Sequence, residues 1–131
     1  RPNIRKYIDA TIKKAHDEGY VETLFGRRRP TPDVKSSNFI VRSSAERAAA
    51  NMPIQGTEAD LMKMAMLRVD ERLDGMGEQL LQIHDSILIE CPRENAERVS
   101  IMLVEAMEQI YPELGVALQV DVHTGNNWGE V

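Results

Sequence analysis

The stretch from Leu80 to Glu90, LLQIHDSILIE, constrains the fold of this chain more than any other part of the sequence. Two short apolar runs flank the polar triplet His84-Asp85-Ser86. Apolar and β-branched runs of this length, interrupted by an Asp-Ser pair, are typical of two strands joined by a tight turn. The sequence therefore predicts a β-hairpin with Asp85 at its bend.

Asp85 is the first candidate for a functional residue. A carboxylate between two buried strands costs free energy unless a metal, a cation or backbone N–H groups face it. The alternative is a simple turn former whose carboxylate bonds its own backbone, since Asp is a common turn residue. The local pattern alone favours that alternative, so the neighbouring residues have to decide.

Composition narrows the class of protein. A chain of 131 residues with 42% hydrophobic and 28% charged residues fits one soluble globular domain with a modest core. The lone Cys91 excludes an internal disulfide, and the three histidines show no zinc-binding spacing. No apolar run approaches about 18 residues and no signal peptide is evident, so we expect a cytoplasmic protein with no membrane partner. The first residue is Arg1 rather than Met, which suggests part of a longer protein.

Charge is distributed unevenly along the chain. The net charge is −5, but residues 1–50 carry 11 Lys and Arg against 6 Asp and Glu, whereas residues 51–131 carry 5 against 15. Such an asymmetry indicates a polyanionic partner for the basic part. For most carboxylates of the second part, a solvated helix face is explanation enough.

Periodicity and turn residues predict the other elements. In chain order we expect a helix from Pro2 to Glu18, a strand over Tyr20–Phe25, a loop over residues 30–38, a long helix starting at Ser43 or Ser44 and bent at Pro53, the hairpin, a helix from Glu94 to about Ile110, and a strand over Leu118–His123 that pairs with the hairpin. Gly56 indicates a close backbone approach, and Trp128 is expected to anchor the tail. The apolar row Leu61, Ala65, Val69 and Leu73, widened by Met62 and Met66, is interpreted as core. This order predicts an α+β fold in which a small antiparallel sheet, with the hairpin at its centre, packs against helices.

Two groups of donors could meet a polyanion. Arg27, Arg28 and Arg29 follow the turn at Gly26, and guanidinium groups grip phosphate oxygens bidentately; a solvated basic loop is an equally good explanation.

The second group is Arg47, Asn51 and Gln55, spaced i, i+4, i+8 and therefore on one helix face. The adjacent Ala48, Ala49 and Ala50 are small enough to permit close approach. In the DNA minor groove all base pairs present acceptors in nearly the same places, so such donors could test pair geometry without reading sequence. Spacing alone favours the alternative of an ordinary solvated helix face.

Four segments together resemble a known family: GYVETLFGRRRP, ERAAANMPIQGTEADLMKMAM, LLQIHDSILIE and VDVHTGNNWGE. In order and spacing they are similar to the C-terminal part of the polymerase domain of the family A DNA polymerases, the family of bacterial DNA polymerase I. The resemblance implies that residues 1–42 form a distal fingers helix, a basic turn and a loop. It implies that residues 43–131 form the C-terminal portion of the palm.

The resemblance also implies roles for the candidate residues. Asp85 would be one of two carboxylates holding a pair of Mg²⁺ ions for nucleotidyl transfer from deoxynucleoside triphosphates to a primer 3′-hydroxyl. His84 would position the primer terminus. Arg47, Asn51 and Gln55 would contact primer–template DNA, and Arg27, Arg28 and Arg29 would contact phosphate.

Two departures from the family pattern limit what this chain can do by itself. Ser86 stands where the family usually has a glutamate, so metal affinity could be weaker. The second metal-binding carboxylate is not in this chain, nor is the helix whose Lys and Tyr grip the nucleotide; Asp121 is a poor substitute. We therefore expect one part of a longer or split DNA polymerase of replication and repair, inactive without its N-terminal part. The alternative is a non-catalytic nucleic-acid-binding module derived from the same fold.

Overall fold

The computed structural model describes residues 1–131, which divide into two units, residues 1–60 and residues 61–131, with the boundary inside a long helix. The helices and strands are α1 (Pro2–Glu18), β1 (Tyr20–Glu22), β2 (Arg28–Pro30), α2 (Phe39–Leu73), β3 (Glu78–Ile83), β4 (Ser86–Glu90) and α3 (Ala96–Glu108). Short 3₁₀ turns lie at Pro32–Lys35, Arg93–Asn95, Pro112–Leu114 and Trp128–Glu130. No helix has a stretch long and apolar enough to cross a membrane.

The first unit forms around the end of α1. Gly19 ends this helix in a left-handed conformation (φ +80°), and its N–H donates to the carbonyl of Ala15. Glycine adopts this conformation without steric cost, so the predicted bounds of α1 are confirmed. Strands β1 and β2 then pair antiparallel. The core of the unit consists of Ala15, Val21, Val34, Ala49 and Met52.

The turn between β1 and β2 corrects one expectation. β1 ends at Glu22 instead of reaching Phe25, because the buried Thr23 hydroxyl accepts hydrogen bonds from the backbone N–H groups of Phe25 and Arg27 and so bends the chain. Arg28 and Arg29 follow this turn, as expected, and lie in β2.

Helix α2 begins earlier than predicted. The Asn38 side chain accepts from the N–H groups of Ile40 and Val41, so Asn38 caps the helix in place of Ser43 or Ser44. The helix continues through Pro53, although that residue cannot donate to the carbonyl four positions earlier. The close approach predicted at Gly56 is confirmed, because a Cβ there would come within 2.7 Å of the Thr23 methyl carbon.

In the second unit the predicted hairpin is confirmed. β3 and β4 pair antiparallel, with Ile83 opposite Ser86 and an irregularity between Gln79 and Leu81. Ile87 and Ile89 of β4 pack against a core from the end of α2 and from α3, namely Val69, Leu73, Val99, Met102 and Ala106. The α+β class is therefore as expected, except that the strands form two separate two-stranded sheets. Of the predicted apolar row, Ala65, Val69 and Leu73 are buried, whereas Leu61, Met62 and Met66 are only partly buried.

Three expectations for the second unit are wrong. Residues 118–123 form no strand: the hairpin strands pair only with each other, and the N–H of Val120 donates to the Glu108 carboxylate instead of to a ladder. Trp128 is 58% exposed and does not anchor the tail. Leu80 and Leu81 of β3 are also exposed, so the hairpin is only half covered. The boundary after residue 42, which concerns the subdomains of a whole polymerase, stays a prediction.

Leu73 gives a test of the core of the second unit, since it is 2% exposed near the end of α2. We expect Leu73→Ala to lower the free energy of unfolding by about 2–5 kcal/mol, because it removes buried methyl groups and leaves a cavity. Urea unfolding followed by circular dichroism measures the change. Leu67→Ala is the matched control on the same helix, at a side chain that is 74% exposed. An equal loss in both variants would contradict the assignment of the core.

The Lys14–Glu22 ion pair links α1 to β1 in the first unit, with Nζ and Oε1 2.8 Å apart. The hydrogen bond from Lys14 lowers the pKa of Glu22 below its ordinary value of 4.5; partial burial opposes the shift, and the charges of Lys14 and Arg28 add to it. Because the pKa of Glu22 is lower in the folded state, its contribution to stability is present above the unfolded pKa. That contribution is lost as the pH falls through the folded pKa.

We therefore expect Glu22→Gln to reduce the acid sensitivity of the first unit. Between pH 6 and pH 3 the melting temperature of the variant should fall less than that of the wild type. Glu58→Gln, at an exposed position of α2, is the control and should follow the wild-type curve. Superimposable curves for wild type and Glu22→Gln would contradict the expectation.

Candidate functional site

The tip of the β3–β4 hairpin is a two-residue turn formed by His84 and Asp85. His84 has a φ of +52°, in the left-handed region that residues with a Cβ rarely adopt. Two side chains bond to the backbone beside it: the Gln82 amide donates to the His84 carbonyl, and the Ser86 hydroxyl donates to the Ile83 carbonyl over 2.9 Å. The tip is thus a strained turn with a bond from each strand.

The Asp85 carboxylate is exposed and makes no hydrogen bond or ion pair with any other residue of the chain. The alternative in which it bonds its own backbone as a turn former is therefore not realised. The premise that it lies between two buried strands is also wrong, because β3 is mostly exposed and β4 is only partly buried in this chain. Its oxygens are free to accept from, or to coordinate, something outside the chain.

A carboxylate of this kind fits one position of a magnesium site, since Mg²⁺ prefers oxygen ligands and is commonly held by one or two carboxylates together with substrate phosphate. The chain nowhere brings together three or more His, Cys, Asp or Glu residues that could hold a metal ion. Asp85 therefore fits as a single ligand, and these residues do not form a complete metal site.

The donor row on α2 is also free. Arg47, Asn51 and Gln55 are exposed and have no partner within the chain. Residues four apart on a helix are separated by about 6 Å along its axis, so the row spans about 12 Å. Of the neighbouring alanines, Ala49 and Ala50 are buried, and Ala49 belongs to the core. Only Ala48 is left to permit close approach from outside, which corrects the expectation for the other two.

Two arginines of the cluster Arg27–Arg29 pair with other residues of the chain through their side chains, and the third does not. Arg27 donates to the Asp60 carboxylate over 2.8 Å and to the Gly56 carbonyl over 3.2 Å, so it holds the β1–β2 turn to α2. Arg28 lies over the Tyr20 ring, 4.3 Å from its centroid, with Nε 3.6 Å from Glu22.

Arg29 is exposed and forms no ion pair. It borders an open groove of about 460 Å³ between β2 and the first turns of α2. Phosphate contact by the cluster stays a prediction, and Arg29 is its best placed member.

The hairpin residues belong to the second unit, and the donor row and arginines belong to the first. Sequence reasoning missed Gln82 and Ser86 as supports of the turn. The available signal was their position: each is a hydrogen-bonding side chain within two residues of the bend, where bonds to the local backbone are common.

Known proteins resemble this chain over nearly its whole length. The sequence model of the family "DNA polymerase family A" matches residues 1–130. The thermostable DNA polymerase I of Thermus aquaticus is 49% identical over 128 residues, covering 97% of this chain and 15% of that protein. DNA polymerase I of Deinococcus radiodurans is also 49% identical over 128 residues, covering 97% of this chain and 13% of that protein.

The likeness extends to three dimensions. The POL domain of Pol1 from M. smegmatis, solved in complex with DNA primer-template and dNTP, superimposes with a TM-score of 0.77 at 40% identity, over 82% of this chain and 20% of that one. The chain spans only about 15% of the length of such relatives. A family match over nearly every residue, together with close relatives in sequence and structure, shows that this chain belongs to DNA polymerase family A.

Proposed function

We propose that this chain supplies the C-terminal palm portion and the last fingers elements of a DNA-directed DNA polymerase. The activity is template-directed, Mg²⁺-dependent transfer of a nucleotide to a primer 3′-hydroxyl, in DNA replication and repair. The observation that carries the proposal is the free Asp85 carboxylate at the strained hairpin tip of a family A chain. Its setting is the cytoplasm of a bacterial or phage-infected cell.

Asp85 has the role of metal ligand. Its carboxylate is exposed and bonds to no other group of the chain, so its oxygens are available to a divalent cation. Mg²⁺ bound there would stabilise the negative charge that develops during phosphoryl transfer. The second carboxylate and the residues that grip the nucleoside triphosphate come from polymerase sequence beyond these 131 residues, and the chain alone is inactive.

His84 has the role of holding the primer end. Its ring is exposed at the turn next to Asp85, and its backbone is fixed by the bond from Gln82. A ring nitrogen there can hydrogen-bond a sugar or phosphate oxygen. Because His84 and Asp85 are adjacent residues of one turn, the primer terminus and the metal ligand would be positioned together.

Arg47, Asn51 and Gln55 have the role of checking the duplex. They are three free donors on one face of α2, and the minor-groove acceptors they would meet are common to all correct pairs. The polymerase structure with DNA primer-template and dNTP supports primer–template DNA and nucleotide as the partners. Arg29 is the member of the arginine cluster available for phosphate.

A non-catalytic nucleic-acid-binding module is the second candidate. The chain holds no cluster of metal-ligating residues, and its donor row does not depend on Asp85. Such a module would bind primer–template DNA equally well with or without the Asp85 carboxylate.

Asp85→Asn in the complete polymerase separates the two candidates. We expect the rate of nucleotide incorporation to fall about a hundredfold or more, because a metal ligand contributes several kcal/mol to the transition state. The dissociation constant for primer–template DNA should stay within about threefold. Asp121→Asn, at another exposed acid, is the control and should incorporate nucleotides normally. An unchanged rate for Asp85→Asn would remove the metal-ligand role and favour the binding module.

Arg47→Ala tests the donor row. We expect primer–template affinity in the complete polymerase to fall about tenfold, an effect of 1–3 kcal/mol for one specific arginine contact. The loss should be the same for duplexes of different sequence, since the minor-groove acceptors hardly vary. Lys63→Ala removes a positive charge at another exposed position of α2 and should have little effect. Equal losses in the two variants, measured by fluorescence anisotropy, would reduce the row to general electrostatic attraction.

A further inference from the structure

Ser86 is the residue at the hairpin tip to which the proposed function gives no role. Its hydroxyl donates to the carbonyl of Ile83 over 2.9 Å, and Ile83 is its own register partner across the hairpin. This bond closes the two-residue loop from the β4 side. The Gln82 amide reaches the His84 carbonyl from the β3 side.

We propose that Ser86 is a positioning residue that holds the His84–Asp85 turn in the conformation presenting the Asp85 carboxylate. The proposal rests on the proposed role of Asp85. This role requires no contact between Ser86 and substrate or metal. Ser86 acts only through the backbone of the turn.

The turn needs such support for a physical reason. His84 has a φ of +52°, a conformation that its Cβ disfavours, so an unsupported turn would also populate other conformations. Residues 84–86 are exposed within this chain, so its own packing adds little restraint at the tip. Side-chain bonds to the two successive carbonyls at the tip, Ile83 and His84, are the local restraint that this chain itself supplies.

The chemistry of the side chain at position 86 is specific. A hydroxyl can donate to the Ile83 carbonyl, whereas alanine has no donor and an ionised carboxylate only accepts. Threonine retains the hydroxyl and suits a strand position. Ser86→Ala and Ser86→Thr thus form a pair that differs in the donor and keeps the hairpin sequence otherwise unchanged.

Amide hydrogen exchange of the segment 80–90 in the complete polymerase, without added metal, is the first readout. We expect Ser86→Ala to speed exchange at the turn between about twofold and tenfold, the value of one net hydrogen bond, and Ser86→Thr to restore wild-type protection. Ser100→Ala is the matched control, because the Ser100 hydroxyl makes the same kind of bond to the Ala96 carbonyl within α3. It should leave exchange at residues 80–90 unchanged.

Nucleotide incorporation against Mg²⁺ concentration is the second readout. Ser86→Ala should lower the rate at limiting Mg²⁺ by about twofold to tenfold, with primer–template affinity unchanged, and Ser86→Thr should rescue it. Wild-type exchange in Ser86→Ala, failure of Ser86→Thr to rescue, or an equal effect of Ser100→Ala would each overturn the proposal. Asp85→Asn in the same assay keeps the two proposals apart. If it abolishes incorporation while Ser86→Ala is silent, only the role of Ser86 fails; if it too is silent, the proposed function fails.

Discussion

The packing of Ile87 and Ile89 against Val69, Leu73 and the buried face of α3 is the interaction on which the rest of the second unit depends. The hairpin has only two strands, and two strands alone are marginally stable in water. Attaching β4 to a helical core gives the hairpin a fixed base. The tip can then be exposed and strained at once, because the free energy that tolerates the strain comes from apolar burial at the other end of the strands.

The polar side chains fall into two groups, those that bond to other residues of the chain and those that have no partner within it. Arg27 donates to Asp60 and to the Gly56 carbonyl. Arg28 packs over the Tyr20 ring and pairs with Glu22, so both arginines stabilise the first unit. Arg29, the α2 donor row and Asp85 have no partner in the chain. A group left without an internal partner at an exposed position loses nothing in water and remains available to an outside ligand. The proposed contacts with primer–template DNA and Mg²⁺ depend on these free groups.

At position 86 the chain has a neutral side chain that bonds the turn backbone instead of a negatively charged one. A carboxylate there would add negative charge beside Asp85, whereas the serine hydroxyl bonds the turn backbone. The hairpin therefore presents a single acid on a turn that is tied from both strands. This arrangement makes orientation of Asp85, rather than accumulation of charge, the property that the tip maintains.

The sequence by itself determined the elements whose causes are local. Pro2 and Gly19 bound α1, the apolar rows identify the buried faces of α2 and α3, and the polar triplet between two apolar runs specifies the hairpin with Asp85 at its bend. The four motif segments were enough to identify the family. Each of these features depends on residues close together in the chain, so periodicity and turn chemistry report them directly.

Only the tertiary structure decided which polar groups are used up and which are free. Arg27 and Asp60 lie 33 residues apart, and nothing in the triplet of arginines distinguishes the one that is paired from the one that is not. Residues 118–123 form no strand although their sequence alternates, since a strand exists only where it pairs with another backbone; here the N–H of Val120 donates to the Glu108 carboxylate. The hydrogen-bond partner of a polar side chain depends on which atoms the fold brings within hydrogen-bond distance. The local sequence pattern does not determine that distance.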